Sequence, residues 1–190
     1  KKVLDVPLQD GVSIDGLDLS DDGAKLVVIQ TTRNPLAALP RGLISIYDVS
    51  TGEKLIAKPQ NSSWLRLPSF SHDGRLIAAN VSRPNVGSKS VVILGADDGE
   101  ELRECSGHAD TVSGIAWNQA GTRLTTVSQD GILKFWDAST GLELMSLELQ
   151  GQRPVPVEFS PDGLSIATIV DGNTISIWRA PVVNVPFPPN

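Results

Sequence analysis

The sequence predicts an all-β chain built from four copies of one small antiparallel sheet. A turn signal of the form Ser-x-Asp-Gly recurs between apolar runs, at Ser20-Asp21-Asp22-Gly23, Ser71-His72-Asp73-Gly74 and Ser160-Pro161-Asp162-Gly163, with Asn118-Gln119-Ala120-Gly121 as a degenerate copy. The glycines stand 51, 47 and 42 residues apart. A second signal lies downstream of each turn: Ile44-Ser45-Ile46-Tyr47-Asp48, Val91-Val92-Ile93-Leu94-Gly95, Leu133-Lys134-Phe135-Trp136-Asp137 and Ile175-Ser176-Ile177-Trp178-Arg179. Measured at Tyr47, Leu94, Trp136 and Trp178, its spacings are 47, 42 and 42. Two signals with nearly one period mark an internal repeat, one supersecondary unit per copy.

Each unit reads as strands in order. Ile115 and Trp117 alternate with small neighbours before the third turn. Leu26-Val27-Val28-Ile29, Leu76-Ile77-Ala78-Ala79 and Ile166-Ala167-Thr168-Ile169 follow their turns as short, often β-branched runs, the pattern of buried strands. The Tyr/Leu/Trp runs come next, and Ser-Thr-Gly closes two of them. Long stretches with the 3.6-residue helical period are missing. About four short antiparallel strands fit each period, and one such sheet buries its faces only by stacking on its neighbours.

Composition narrows the function classes. The chain has 190 residues, 16 Lys+Arg against 22 Asp+Glu, and a net charge of −6. Hydrophobic residues make up 40% and charged residues 20%, the balance of a globular chain. The acidic balance argues against general nucleic-acid binding, which needs a basic field. No apolar run approaches the length of a membrane-spanning helix. The basic start at Lys1-Lys2 has no apolar run behind it and does not read as a signal peptide. One cysteine, Cys105, excludes an intrachain disulfide and a cysteine zinc cluster. No cofactor is expected, and the compartment is unknown.

Gly107-His108, then Ser128-Gln129-Asp130-Gly131, then Phe135-Trp136-Asp137, resembles a full WD repeat. The other copies depart from the pattern, with Tyr47-Asp48, Leu94-Gly95 and Trp178-Arg179 in the Trp-Asp place and Gly151-Gln152 for Gly-His. The resemblance implies a β-propeller, each four-stranded blade packed radially on the next. By that family's convention strand a precedes the Ser-x-Asp-Gly turn, b follows it, c carries the Trp position, and d follows c. Lys2-Val3-Leu4-Asp5-Val6 resembles the d strands Lys54-Leu55-Ile56-Ala57, Leu102-Arg103-Glu104-Cys105 and Leu144-Met145-Ser146-Leu147. No Thr-Gly turn follows Trp178, so a fourth internal d strand is not expected. Four WD-like repeats over residues 1–180 and an extended tail over 181–190, with Pro181, Pro186, Pro188 and Pro189, are the expected organisation. The ring closes through the N-terminal strand, through a second chain, or as part of a longer propeller.

His108, Ser128 and Asp130 are the residue types of a hydrolytic triad. The resemblance assigns them, with Trp136, to a structural hydrogen-bond network instead, and no Gly-x-Ser-x-Gly elbow exists. No catalytic residue and no metal site is expected. His72 reads as a solvated loop residue, and Cys105 as a small packed one. Asp15, Asp18, Asp21 and Asp22 fit no calcium loop. Asn61-Ser62-Ser63 and Asn80-Val81-Ser82 match the glycosylation sequon.

The first and second b–c connections, about Thr31 to Gly42 and Asn80 to Ser90, are long. They carry Arg33, Arg41, Arg83 and Lys89 with no acid between them. In a propeller the b–c and d–a loops share the top face. Aligning the a strands places Trp64, Ser13, Thr111 and Arg153 there too. Trp64 either plugs against a long loop or anchors a partner. The expected function is a non-enzymatic protein-interaction scaffold. Its top face, around Trp64, Arg33, Arg41, Arg83, Lys89 and Arg153, would take a protein partner with an acidic segment. Self-association to close the ring is a second expectation; nucleic acid and membrane are not expected partners. The alternative is the accessory lid or sensor region of a larger enzyme or redox protein, since Ser-Pro-Asp-Gly turns are similar to those in propellers of prolyl oligopeptidase-like enzymes.

Overall fold

The computed structural model describes residues 5, 12–32, 42–60, 64–83, 87–149, 157–160, 164–170 and 174–179. Among them, sheet one holds β1 (Val12–Leu19), β2 (Lys25–Thr32), β3 (Gly42–Asp48) and β4 (Lys54–Gln60). Sheet two holds β5 (Trp64–Phe70), β6 (Leu76–Arg83), β7 (Gly87–Gly95) and β8 (Glu101–Ser106). Sheet three holds β9 (Val112–Trp117), β10 (Arg123–Ser128), β11 (Ile132–Asp137) and β12 (Glu143–Glu148). Sheet four holds β13 (Val157–Phe159), β14 (Ser165–Val170) and β15 (Thr174–Arg179). Neighbours in each sheet are consecutive and antiparallel, and the inner strands β1, β5, β9 and β13 lie next to one another in that order. This is the blade arrangement of a β-propeller. The expected strand at Lys2 to Val6 and the tail at 181–190 lie outside the described residues.

The turns explain the repeated signals. Ser20 Oγ accepts the Lys25 N–H at 2.9 Å and donates to Asp22 Oδ1 at 2.6 Å. Ser71 repeats this with Leu76 at 3.0 Å and Asp73 at 2.7 Å. In the degenerate copy Asn118 Oδ1 accepts the Arg123 N–H at 2.9 Å, so asparagine performs the serine's acceptor role. Gly23, Gly74 and Gly121 sit at φ 68°, 67° and 67°, which favours glycine. In the c–d turns Asp48 and Asp137 accept the Thr51 and Thr140 N–H groups at 2.8 and 2.9 Å. Sheet two has Gly95 at that place because Asp98 fills the space: a Cβ on Gly95 would lie 2.5 Å from Asp98 Oδ1. Asp98 supplies the turn's carboxylate instead, accepting the Glu100 N–H at 2.9 Å.

The core lies in three apolar layers between consecutive sheets. Val27, Ile29, Ile44 and Ile46 of sheet one meet Phe70, Ile77, Val92 and Leu94 of sheet two. Ala78, Val91, Ile93 and Cys105 meet Trp117, Leu124 and Trp136. Val127, Leu133 and Leu147 meet Val157, Ile166 and Trp178. Two hydrogen bonds tie the inner strands across these layers: Phe70 N–H donates to Asp18 Oδ2 at 2.7 Å, and Trp117 Nε1–H to the Ser69 carbonyl at 3.0 Å. His72 is more than the solvated residue expected, since its Nδ1 lies 2.7 Å from Asp21 Oδ2 and links the turns of sheets one and two.

Each four-stranded sheet carries one register shift between its third and fourth strands, at Ile46/Tyr47, Ile93/Leu94 and Phe135/Trp136. The extra residue on the outer strand is a leucine each time, Leu55, Leu102 or Leu144, and all three are exposed. Sheet four pairs β14 with β15 over six consecutive residues without a shift.

Candidate functional site

The triad-like residues form one connected chain, with a different hydroxyl at its centre from the one expected. Trp136 Nε1–H donates to Thr126 Oγ1 at 2.8 Å. Thr126 Oγ1 lies 2.7 Å from His108 Nε2, and His108 Nδ1 lies 3.3 Å from Asp130 Oδ2. The indole N–H can only donate, so the threonine O–H donates to Nε2 and Nδ1–H faces the carboxylate. Asp130 also accepts the Ala109 and Ile132 N–H groups at 2.8 and 2.9 Å. Ser128, placed in this network by sequence, is a correction: among the described residues its Oγ accepts the Asp130 N–H, at 3.3 Å, and does not reach His108 or Trp136. Leu124, Thr126 and Ser128 share one face of β10, and Trp136 pairs with Leu124, which brings Thr126 nearer than Ser128. Strand alternation allowed either hydroxyl; only the register decides between them.

Burial sets the electrostatics. It pushes the His108 pKa below its ordinary value and outweighs the Asp130 carboxylate. A neutral imidazole agrees with the hydrogen-bond directions above. Burial works against the Asp130 charge, but the N–H groups of Ala109 and Ile132 and the His108 ring hold its pKa below the carboxylate range. Burial pushes the Cys105 thiol up to about 12, which leaves it protonated and inert, as a packed residue is. Asn80 is also buried, and its Nδ2 donates to the Ser90 carbonyl at 3.0 Å, which removes its sequon from the surface. Among the described residues no group of His, Cys, Asp or Glu is placed to hold a metal ion.

At the proposed top face, Arg33, Arg41 and Arg153 lie outside the described residues. Trp64 opens β5 and pairs with Ser82. Lys89 lies on β7, half-buried. Arg83 ends β6, but its premise as an unpaired cation is corrected. Its Nη2 lies 2.7 Å from Glu101 Oε1 and 3.0 Å from Glu104 Oε2. Partial burial opposes the Arg83 charge, and Glu104 and Glu101 more than offset it, raising its pKa. The carboxylates belong to β8, two strands away, so the absence of acids between Asn80 and Ser90 did not reveal them; that stretch, expected as a long loop, is mostly paired strand, since β6 runs to Arg83 and β7 starts at Gly87.

The sequence profile described as WD domain, G-beta repeat matches residues 99–137, the span that contains this hydrogen-bond chain. Residues 99–137 thus match a WD repeat, and the chain is similar to WD-repeat proteins. Among similar relatives is the Retinoblastoma-binding-like protein E of Dictyostelium discoideum, 31% identical over 63% of this chain and 22% of the relative. The Guanine nucleotide-binding protein subunit beta of Saccharomyces cerevisiae is 29% identical over 38% of this chain and 17% of its own length. The human Angio-associated migratory cell protein is 34% identical over 44% and 19%. The matched stretch thus spans less than a quarter of each of these relatives. Among solved structures, the computationally designed Ika4 protein superposes with a TM-score of 0.71 at 16% identity, over 95% of this chain and 99% of that one. The computationally designed Ika8 protein gives 0.67 at 17% identity, over 88% and 46%.

Proposed function

We propose that this chain is a non-enzymatic protein-interaction scaffold that takes an acidic, partly apolar protein segment on its top face. The observation that carries the scaffold reading is the His108–Thr126–Trp136 chain. It commits the imidazole to a neutral, structural role, and the Thr126 hydroxyl is fully buried, accepting from the Trp136 indole and donating to His108 Nε2. A hydroxyl held that way has no path to a substrate. The names of the relatives point the same way, one of them a retinoblastoma-binding-like protein. For the top face, support comes from the sequence, in which Arg33 and Arg41 fall in the first b–c connection of a chain with net charge −6, and from Lys89 near the start of β7 and Trp64 at the start of β5. Arg83 acts there as a strut that holds β6 to β8. Self-association through sheet four is the second part of this reading, favoured by Ile175 and Ile177, each 69% exposed.

A quantitative pull-down tests the site. Partners captured by the wild-type chain are compared with those captured by Arg33→Glu/Arg41→Glu/Lys89→Glu and by Trp64→Ala. Charge reversal is expected to slow association and weaken its salt dependence. Loss of the tryptophan is expected to weaken binding by about 2 kcal/mol, the scale of an interface hot spot. Equal capture by all three proteins places the binding site elsewhere.

A further inference from the structure

The end of the molecule that carries the a–b and c–d turns holds a cleft of about 520 Å³ between sheets three and four. Its walls include Phe135, Met145, Leu147, Phe159, Ile166 and Trp178, with the bulge leucine Leu144 also lining it. Arg123, at the start of β10, and Arg179, at the end of β15, line it from opposite sheets. Both arginines are exposed, and among the described residues neither guanidinium is engaged in a hydrogen bond or ion pair. The other described arginines are engaged: Arg75 near Asp73, Arg83 with two glutamates, Arg103 on the Ser139 carbonyl, and Arg66.

Comparison along the repeat shows what is different here. Tyr47, Leu94 and Trp136, which occupy the equivalent place in sheets one to three, are buried, whereas Trp178 is only partly buried and faces the cleft. Asp48 and Asp137 hold their c–d turns by accepting hydrogen bonds; sheet four has Arg179 at that place. The departure from Trp-Asp to Trp-Arg therefore exchanges a turn-holding carboxylate for a cation beside an open aromatic wall.

We infer that this cleft is a second docking site, and that its occupant is an extended protein segment with a bulky apolar side chain flanked on both sides by carboxylates. The volume lies in the range of built ligand sites, with apolar walls and few polar groups. An apolar side chain fills the walls, and an acid on each side meets Arg123 on one rim and Arg179 on the other, where a guanidinium takes a carboxylate in bidentate geometry. The site lies at the a–b and c–d turn end, so it stands or falls independently of the top-face site.

A random dodecapeptide library displayed on phage and selected on the full chain provides the probe. Enriched peptides are expected to place Asp or Glu on both sides of Phe, Leu or Trp. Synthesised and labelled, they are expected to bind Arg123→Glu/Arg179→Glu at least tenfold more weakly than wild type, and Trp178→Ala likewise. The two arginines are exposed, so the double variant is expected to keep the wild-type melting curve; it carries the test if Trp178→Ala does not fold. The top-face triple variant is expected to bind these peptides unchanged. No enrichment, enrichment without acids, or undiminished binding to the double variant overturns the proposal. Peptides that lose affinity only for the top-face variant overturn it as well, while supporting the other site. Binding that emerges only after residues 181–190 are deleted assigns the cleft to the chain's own tail and overturns it for the full chain.

Discussion

His108 shows how much one buried ring decides. Burial lowers its pKa, Lys134 lowers it further, and Asp130 and Glu143 pull it upward without prevailing. The unfolded chain takes the ordinary value of 6.5. Between that value and the lower folded one, the unfolded state binds the extra proton, so stability falls as pH falls through this window and is flat above it. Asp130 acts in a separate window: its folded pKa lies below 3.8, so its contribution is held above that value and lost only in stronger acid. Thermal melts from neutral pH downward are expected to show the wild-type chain losing stability below about pH 6.5. His108→Asn is expected to be less stable at neutral pH, by about 1–3 kcal/mol, with that slope removed. A wild-type melting temperature that stays level through this window contradicts the neutral buried imidazole.

At the scale of the element, β10 is uneven in how well its hydroxyls are used. Thr126 serves two partners, but Thr125, one residue away on the opposite face, is fully buried and its Oγ1 has no protein partner. The equivalent place in sheet one is Val27, fully buried in the first apolar layer. Thr125→Val keeps the shape and removes a desolvated hydroxyl, so it is expected to raise stability by about 1 kcal/mol, read as a higher melting temperature or urea midpoint. A lower midpoint shows that the hydroxyl is satisfied after all. The same element marks the limit of what was legible. Turn glycines, the Tyr/Leu/Trp positions and the strand order were readable because each depends on local spacing. The choice of Thr126 over Ser128 depends on which residue of β10 stands by Trp136, a fact of register. The neutralisation of Arg83 by Glu101 and Glu104 depends on a strand beyond its hairpin partner. Leu94-Gly95 looked like a decayed Trp-Asp until Asp98 was seen to occupy the missing carboxylate's space.

For the whole molecule, the repeat makes the exposed face of sheet four interpretable. Ile175 and Ile177 occupy the register of Ile44 and Ile46, of Val91 and Ile93, and of Leu133 and Phe135, all of which point into the next sheet. At the other end of the stack Leu17 and Leu19 are 60% and 50% exposed, although Phe70 and Trp117, the equivalents of Leu19, are buried. Both ends thus carry the apolar half of an interface that the interior uses three times. Sedimentation of the wild-type chain at micromolar concentration is expected to show association, and Ile175→Asp/Ile177→Asp is expected to reduce it to the mass of one chain. A wild-type chain that sediments as a single copy throughout removes self-association from the proposed function.

The bulges have a further consequence, in the hygiene of sheet edges. A bulge twists an outer strand and spoils the straight row of N–H and C=O groups that another chain needs in order to add itself. Sheets one, two and three all end in a strand bent at Leu55, Leu102 or Leu144. β15 has six residues in uninterrupted register, with isoleucines alternating along one side and no bend to blunt them. Short β-branched segments of that kind are templates for cross-β stacking when they lie uncovered. The same repeated leucines that look wasteful on the rim therefore work as guards, and addition of a foreign strand is expected first at β15, the outermost described strand of sheet four, which has no such bulge.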